Sequence, residues 1–521
     1  MSLGAFVFIA ILSLILNVLP YSYFVSYIKC TALQFYYHLT NTPLYRSRIN
    51  ELPMSANSAT SQAMPPIDAS YKRIVAIALP VLLANLAMPL QSVIDTAIVG
   101  NMNDTAKLAG MGLAIQLLSL LLVSFNFLQY ASSGLAAQAL GQLANNTSNT
   151  SAVLAPTPLL SILQRALLLA FVIGAILLLA KPWLIDFGLQ ALSANPESGR
   201  AAKTYLDVRF WGVIAELMNF AFIGWFAGQG KTRYMLYQQG FIAVLNIVLT
   251  LFFVFAMQMG LAGVALGTTI AFWFGILMAL WLSRQHLKIS WSVLFKADRQ
   301  YFTKEKMLRL FSLNKDIFVR TLILTLSFAW ITRLSAQSGD VILAANAILL
   351  QVLSISAFAL DGVAVSAETL SGQAAGRRDW PRFRIIVKRT GVVSYGLAIM
   401  LSAIWWLSMP TYLGFMTNIE SVFALAYDYH LYAVLLPLVG VGAYWLDGIF
   451  FGLTAGSVIR NAALILAAIF FPLSWLFYQQ WDMTGIWLSV WCLLLLRLVI
   501  LGGFLYRANQ TGSYEKLQPE T

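Results

Sequence analysis

From Ile74 onward the chain alternates long apolar runs with short polar connections. Twelve runs reach or exceed the roughly 20 residues a helix needs to cross a bilayer. They cover 74–100, 107–140, 158–183, 204–228, 234–257, 260–284, 314–336, 342–373, 385–415, 425–454, 460–478 and 484–506. Several exceed a minimal span, so tilt or ends outside the bilayer are expected. The pattern predicts an all-α integral membrane protein with twelve transmembrane helices and no extramembrane domain large enough for its own core. Ahead of these runs, Leu3 to Leu19 is apolar and ends at Pro20. A signal peptide needs a basic n-region and a small-residue cleavage site. The first basic residue is Lys29, so 1–30 reads as an extra membrane helix, and 31–70 as a polar linker. Met54 and Met64 lie inside that linker and offer alternative starts, under which the first segment is not made.

The apolar pattern also repeats. Leu108, Gln116, Ser119, Gln138 and Gly141 recur as Leu343, Gln351, Ser354, Gln373 and Gly376, each 235 positions later and without a gap. Six spans separate the copies, so the two keep the same orientation. Two parallel six-helix bundles follow, with a cavity expected at their interface. The expected organisation is an N-terminal lobe over 71–285, a basic linker over 286–313, a C-terminal lobe over 314–507 and a tail over 508–521.

Charge fixes the expected orientation. Basic residues crowd the connections that follow even-numbered spans, such as Arg284 to Lys315 and Arg377 to Arg389, except the loop after the second span, which has none, while those after the first and third hold a few. The loops after the fifth, seventh, ninth and eleventh spans hold no Lys or Arg. The even-to-odd loops, and both ends of the twelve-span core, are therefore expected in the cytoplasm.

Composition agrees. Of 521 residues, 59% are hydrophobic and only 10% charged, where a soluble domain carries about 25% charged residues. The net charge of +12 sits mostly in short loops, which argues against nucleic acid as a partner and for membrane lipid. Two cysteines and three histidines form no metal-ligand spacing, so neither a metal nor a cofactor is expected. There is no Gly-x-Ser-x-Gly elbow, zinc-binding His-Glu-x-x-His helix or Walker A loop, which disfavours a membrane-embedded enzyme and ATP-driven transport.

The informative polar residues are those inside the apolar runs. Asp95 lies within the first run, where a carboxylate costs on the order of 2.5 kcal/mol or more and commonly marks an ion pathway. Pro80 precedes it by fifteen residues and lacks a backbone donor, so a helix bend is expected there. Gln91, in the same run, is taken as a cavity residue. Asp361 and Glu368 are seven apart, nearly on one face of a helix, and Asp447 lies in another run of the same half. Together these three form a candidate negative cavity wall. The opposing reading neutralises them with Arg320 or Arg333 as buried ion pairs. Glu216 is similar in kind. Gln116 and Gln351 are expected to bond across helices, Trp183, Tyr205 and Tyr234 to anchor at the interface, and aromatics and methionines to line an adaptable cavity.

Several strings resemble a known family. Pro80 with Val93-Ile-Asp95-Thr-Ala97, Leu360-Asp361-Gly362 followed by Ser371-Gly-Gln373-Ala-Ala-Gly376, and Leu436-Pro437-Leu438 with Tyr444-Trp445-Leu446-Asp447-Gly448 are similar to the MATE (multidrug and toxic compound extrusion) transporters, in particular the DinF-like branch. The likeness covers roughly 70–507. It implies a monomeric antiporter of the bacterial inner membrane that exports small organic cations or drug-like compounds in exchange for H+ or Na+. It implies ion coupling at Asp95, with Asn219, Asn246 and Thr268 beside it. Thr250 stands where many relatives carry an acid, which puts a two-carboxylate relay in doubt. A flippase for a lipid-linked precursor shares the wider architecture. Its anionic cargo would want cavity arginines, and Asp95, Asp361 and Asp447 oppose it.

Overall fold

The computed structural model describes residues 67–517 apart from 101, 103, 147–156, 192–195 and 296–301. The expected extra helix over 1–30 and nearly all of the linker over 31–70 lie outside the described residues. Among the described residues there is no strand. In a bilayer, backbone polar groups must be satisfied within the segment, and a helix does this for every apolar run.

Ten helical stretches are each long and apolar enough for one crossing: α1 Tyr71–Gly100, α2 Thr105–Ala144, α3 Pro158–Leu179, α4 Pro196–Gly228, α5 Thr232–Ala256, α6 Gly260–Leu287, α7 Lys304–Gln337, α8 Asp340–Gly376, α9 Trp380–Met416 and α10 His430–Gly452. The last helical stretch, Gly456–Thr511, breaks at Trp481 and Asp482, whose φ is 43°. That left-handed residue reverses the chain and divides the stretch into α11 (456–480) and α12 (483–511), giving twelve. α1 remains helical through Pro80.

Loop chemistry sets where helices begin. Asp104, Thr303 and Asp379 each accept a hydrogen bond from the backbone N–H three residues on, at Lys107, Lys306 and Arg382, the usual satisfaction of a first-turn donor. The expected basic linker is in part helical: α6 runs to Leu287, a short helix occupies Trp291–Phe295, and α7 already begins at Lys304. After α12 a short 3-10 turn, Tyr514–Leu517, folds back, and Tyr514 stacks on Trp380 of α9 with ring centroids 5.1 Å apart.

The two halves repeat in their packing as well as in their sequence. In the first half, α4 presses Gly224 and Gly228 against α2; a Cβ there would stand 2.0 and 2.1 Å from the carbonyl oxygens of Gln129 and Ser133. In the second, α10 presses Gly448 and Gly452 against α8, with 2.3 and 2.4 Å to the carbonyls of Ala364 and Glu368. Ala364 and Glu368 lie 235 positions after Gln129 and Ser133. This is small-residue packing of membrane helices, which lets backbones meet. The two halves join through α1, α2, α8 and α10. Gly141 of α2 abuts the Gln373 carbonyl and Gly376 of α8 abuts the Gln138 carbonyl, at 2.2 and 2.1 Å from a notional Cβ. That exchange is the signature of a local two-fold axis between α2 and α8.

This closure lies at the end of the molecule that carries the basic loops. Gln138 Nε2 donates to the carbonyl of Gly452 and to Thr454 Oγ1, both at 3.1 Å. Thr369 Oγ1 donates to the Ala227 carbonyl at 2.7 Å. Arg382 and Arg389 of α9 donate to the carbonyls of Ile67 and Ala69, just ahead of α1.

Candidate functional site

Outward from that closure, the halves enclose a cavity of about 580 Å³. Both contribute to it: α1, α2, α4, α5 and α6 from one side, α7, α8, α10 and α12 from the other. The ionisable side chains on its wall are Asp95, Arg209 and Glu216 from the first half, and Arg320, Asp361, Glu368, Asp447 and Arg497 from the second. Five carboxyls therefore face three guanidiniums. Eight aromatic rings share the wall, among them Tyr130, Phe272, Tyr444 and Phe451. Methionine, expected there from the sequence, is not among the lining residues.

The carboxyls divide into two kinds. Glu216 is paired with Arg209, about two turns earlier on the same face of α4, both side chains under a tenth exposed. Asp447 receives both Arg320 of α7 and Arg497 of α12, the latter at 2.5 Å. Each guanidinium also lies over an aromatic ring: Arg209 over Phe272, Arg320 over Phe451 and Arg497 over Tyr444, at 4.8, 5.5 and 5.4 Å. Such stacking adds cation–π attraction and fixes the arginines in place. Asp95, Asp361 and Glu368 have no ion-pair partner among the described residues. Asp95 is 4% exposed and Glu368 1%. Asp95 Oδ1 and Glu368 Oε1 accept no hydrogen bond among the described residues.

Around Asp95 the structure assembles most of the expected set. Asn246 of α5 donates to Thr268 of α6 at 2.8 Å, and Thr250, Asn246 and Thr268 all face the Asp95 carboxyl. None of them closes a hydrogen bond to Oδ1, and Thr250 Oγ1 and Asn246 Oδ1 are likewise without partners. Asn219 is bound elsewhere. Its amide donates to the carbonyls of Ala215 and Phe272, and its oxygen accepts from Gln238 at 2.6 Å. It braces α4 against α5 and α6. Gln91 lines the cavity as expected, and Asp361 and Glu368 share it, as their spacing requires.

Several expectations are corrected. Arg333 does not neutralise the acids: it is exposed and lies over Trp330. Arg209 and Arg497, not singled out in the sequence, do that work with Arg320. Both were detectable, since a cation inside an apolar run implies a partner as strongly as an acid does. Tyr205 is 4% exposed and lines the cavity instead of anchoring at an interface. Gln116 and Gln351 are exposed and make no cross-helix hydrogen bond among the described residues.

A multi-pass helical bundle of two repeat-related halves, with a charged cavity shared between them, is the architecture of a secondary transporter. The MatE family model matches residues 80–252 and 317–476, one stretch in each half. The chain belongs to this family of membrane transporters. It is 32% identical to DNA damage-inducible protein F of Escherichia coli (strain K12) over 455 residues, 86% of this chain and 95% of that protein. It is 26% identical to Protein DETOXIFICATION 44, chloroplastic, of Arabidopsis thaliana over 462 residues, 87% and 85% of the two chains. The Vibrio cholerae MATE transporter VcmN in its bent form shares the fold with a TM-score of 0.73 at 17% identity, covering 86% of this chain and 98% of that one.

Proposed function

We propose that this transporter is an antiporter that exports lipophilic organic cations in exchange for H+, with Na+ as the alternative coupling ion. The observation that carries the reading is the surplus of buried carboxyls in the cavity. Each half supplies one more acid than its arginines neutralise: Asp95 in the first, and one of Asp361 and Glu368 beyond the Asp447 cluster in the second. An uncompensated carboxylate in a low-dielectric site is costly, and the cost is relieved by a proton, a small cation or an organic cation. Occupancy by one excludes the need for the others, which is the requirement for exchange. The aromatic wall supplies apolar area and ring faces for a cationic cargo.

Asp95 carries the coupling ion, with Asn246, Thr250 and Thr268 as neutral polar groups around it. Thr250 has no titratable group, so in this half Asp95 is the one carboxyl of that cluster. The cavity alternates between the two faces of a bacterial inner membrane by rocking of the lobes over 71–285 and 314–507. Both ends of the twelve-helix core face the cytoplasm, and a single chain is the working unit.

The three cavity arginines favour a second reading, a flippase for an anionic lipid-linked precursor. A transporter from Pyrococcus furiosus with the same fold, at a TM-score of 0.70 and 17% identity, is described as having a binding pocket of reversed polarity. Here, however, each arginine already holds a carboxylate, and an anion entering the cavity would compete with five acids.

Transport of a fluorescent organic cation into proteoliposomes, with pH and Na+ gradients imposed separately, tests the proposal. A pH gradient is expected to drive uptake, and Asp95→Asn to slow it at least about tenfold, or about 1.4 kcal/mol. Undiminished pH-driven transport by Asp95→Asn would remove Asp95 from the coupling role.

A further inference from the structure

Glu368 lines the cavity where α8 approaches α2. Its repeat mate, 235 positions earlier, is Ser133, and the two face each other across the axis. Ser133 Oγ is buried without a hydrogen-bond partner, as is Glu368 Oε1. Both backbones at this point are pinned by the glycines of the neighbouring helices, Gly228 on the Ser133 carbonyl and Gly452 on the Glu368 carbonyl. The acid is therefore held in place by backbone contacts that its own charge does nothing to stabilise. Two turns further along α8, Gly376 meets the Gln138 carbonyl and completes the closure.

We propose that Glu368 is a second proton-binding carboxyl, independent of Asp95, whose protonation holds the basic-loop end of the two halves shut. The groups that face it are few. From α2 they are Ser133 and the Tyr130 phenol, and along its own helix Asp361. α10 presents the glycine backbone of Gly448 and Gly452, with Asp447 and its two arginines on the cavity wall beyond. α4 offers the Ala227 carbonyl, taken by Thr369, and α1 brings Arg73 to Gly230 beside Thr369. No described cation is paired with Glu368. In the shut arrangement a charged Glu368 would lie between α2 and α8 at the cavity wall, near Asp361 and only 1% exposed. A proton taken from the cavity water removes that charge and lets the two helices stay in contact. When the halves part at the basic-loop end, water reaches the carboxyl and the proton leaves on that side. One proton enters on one face and leaves on the other, with no covalent bond to carbon made or broken.

The inference rests on the antiport reading for its purpose, but its test reads conformation and not transport. Spin labels at Gln142→Cys and Arg378→Cys, with Cys30 and Cys492 replaced by alanine, report the separation of α2 and α8 at the closure. In otherwise wild-type protein in lipid nanodiscs, raising the pH from 5 to 8 (on the order of the ordinary buffer range around carboxyl and histidine titrations) is expected to convert a short distance population to a longer one. Asp95→Asn is expected to keep that conversion. Glu368→Gln, a neutral isostere, is expected to lose it and stay short at every pH. Glu368→Asp, which keeps a carboxyl, is expected to regain it if the glutamine variant proves hard to purify. A pH-dependent conversion that survives Glu368→Gln unchanged, or that disappears in Asp95→Asn, overturns the proposal. Failure of organic-cation transport with the distance change intact would instead reject the antiport reading alone.

Discussion

Inside the cavity, each ionisable side chain is defined by what faces it. Asp447 is held by Arg320 and Arg497, and Glu216 by Arg209, whereas Asp95 and Glu368 are buried without a cation. The two kinds respond oppositely to neutralisation. Asp447→Asn leaves two arginines buried without their counter-charge and is expected to cost about 3–5 kcal/mol, read as a large fall in melting temperature in detergent. Asp95→Asn removes a buried charge that no ion pair holds among the described residues, so its melting temperature is expected to hold or rise while its transport falls. A fall of the same size in both variants would show that Asp95 also has a structural partner. The unpaired acids were legible from the sequence, because a carboxyl inside an apolar run is conspicuous whatever surrounds it. Their division was not, because pairing depends on which helix faces which. Arg333 and Arg320 both lie within the seventh run, yet only Arg320 lines the cavity.

At the scale of helices, packing is governed by glycine as much as by apolar side chains. Gly224 and Gly448 occupy equivalent places in α4 and α10, each against a carbonyl of the neighbouring helix. The added methyl in Gly224→Ala would fall 2.0 Å from the Gln129 oxygen, so α2 and α4 must separate. A loss of about 1–3 kcal/mol is expected from such overpacking, measurable as lower folded yield and melting temperature. Gly240, with open space where its Cβ would be, is the control: Gly240→Ala is expected to be neutral or to stabilise α5 by about 0.5–1 kcal/mol. Similar losses at both positions would show that helix propensity, and not contact, sets the sensitivity. Span lengths were readable from the sequence to within a few residues at most boundaries. The extension of α6 to Leu287 and of α7 back to Lys304 was not, since polar helix ends outside the apolar region carry no hydropathy signal.

For the whole molecule the open question of direction is set by charge. The closure of α2 on α8 lies at the basic-loop end; on the orientation proposed from the positive-inside rule that end is cytoplasmic and the cavity opens outward. A membrane-impermeant maleimide applied to intact cells is expected to label Gln190→Cys, exposed on the short helix Lys181–Ala191 after α3, and to reach Arg378→Cys only after lysis. The reverse pattern would invert the molecule and with it the sense of transport.

The linear order of residues determined the class of protein, the number of crossings, the doubled architecture and the acids that must be accounted for, because bilayer thickness, helix period and the cost of buried charge act on local segments. Tertiary structure alone decided which of those acids are neutralised, that Asn219 braces helices while Asn246 and Thr268 face Asp95, and that Glu368 meets its own repeat mate across a symmetry axis. Those outcomes depend on how helices turn and approach one another, and electrostatic pairing over a few ångströms follows that arrangement.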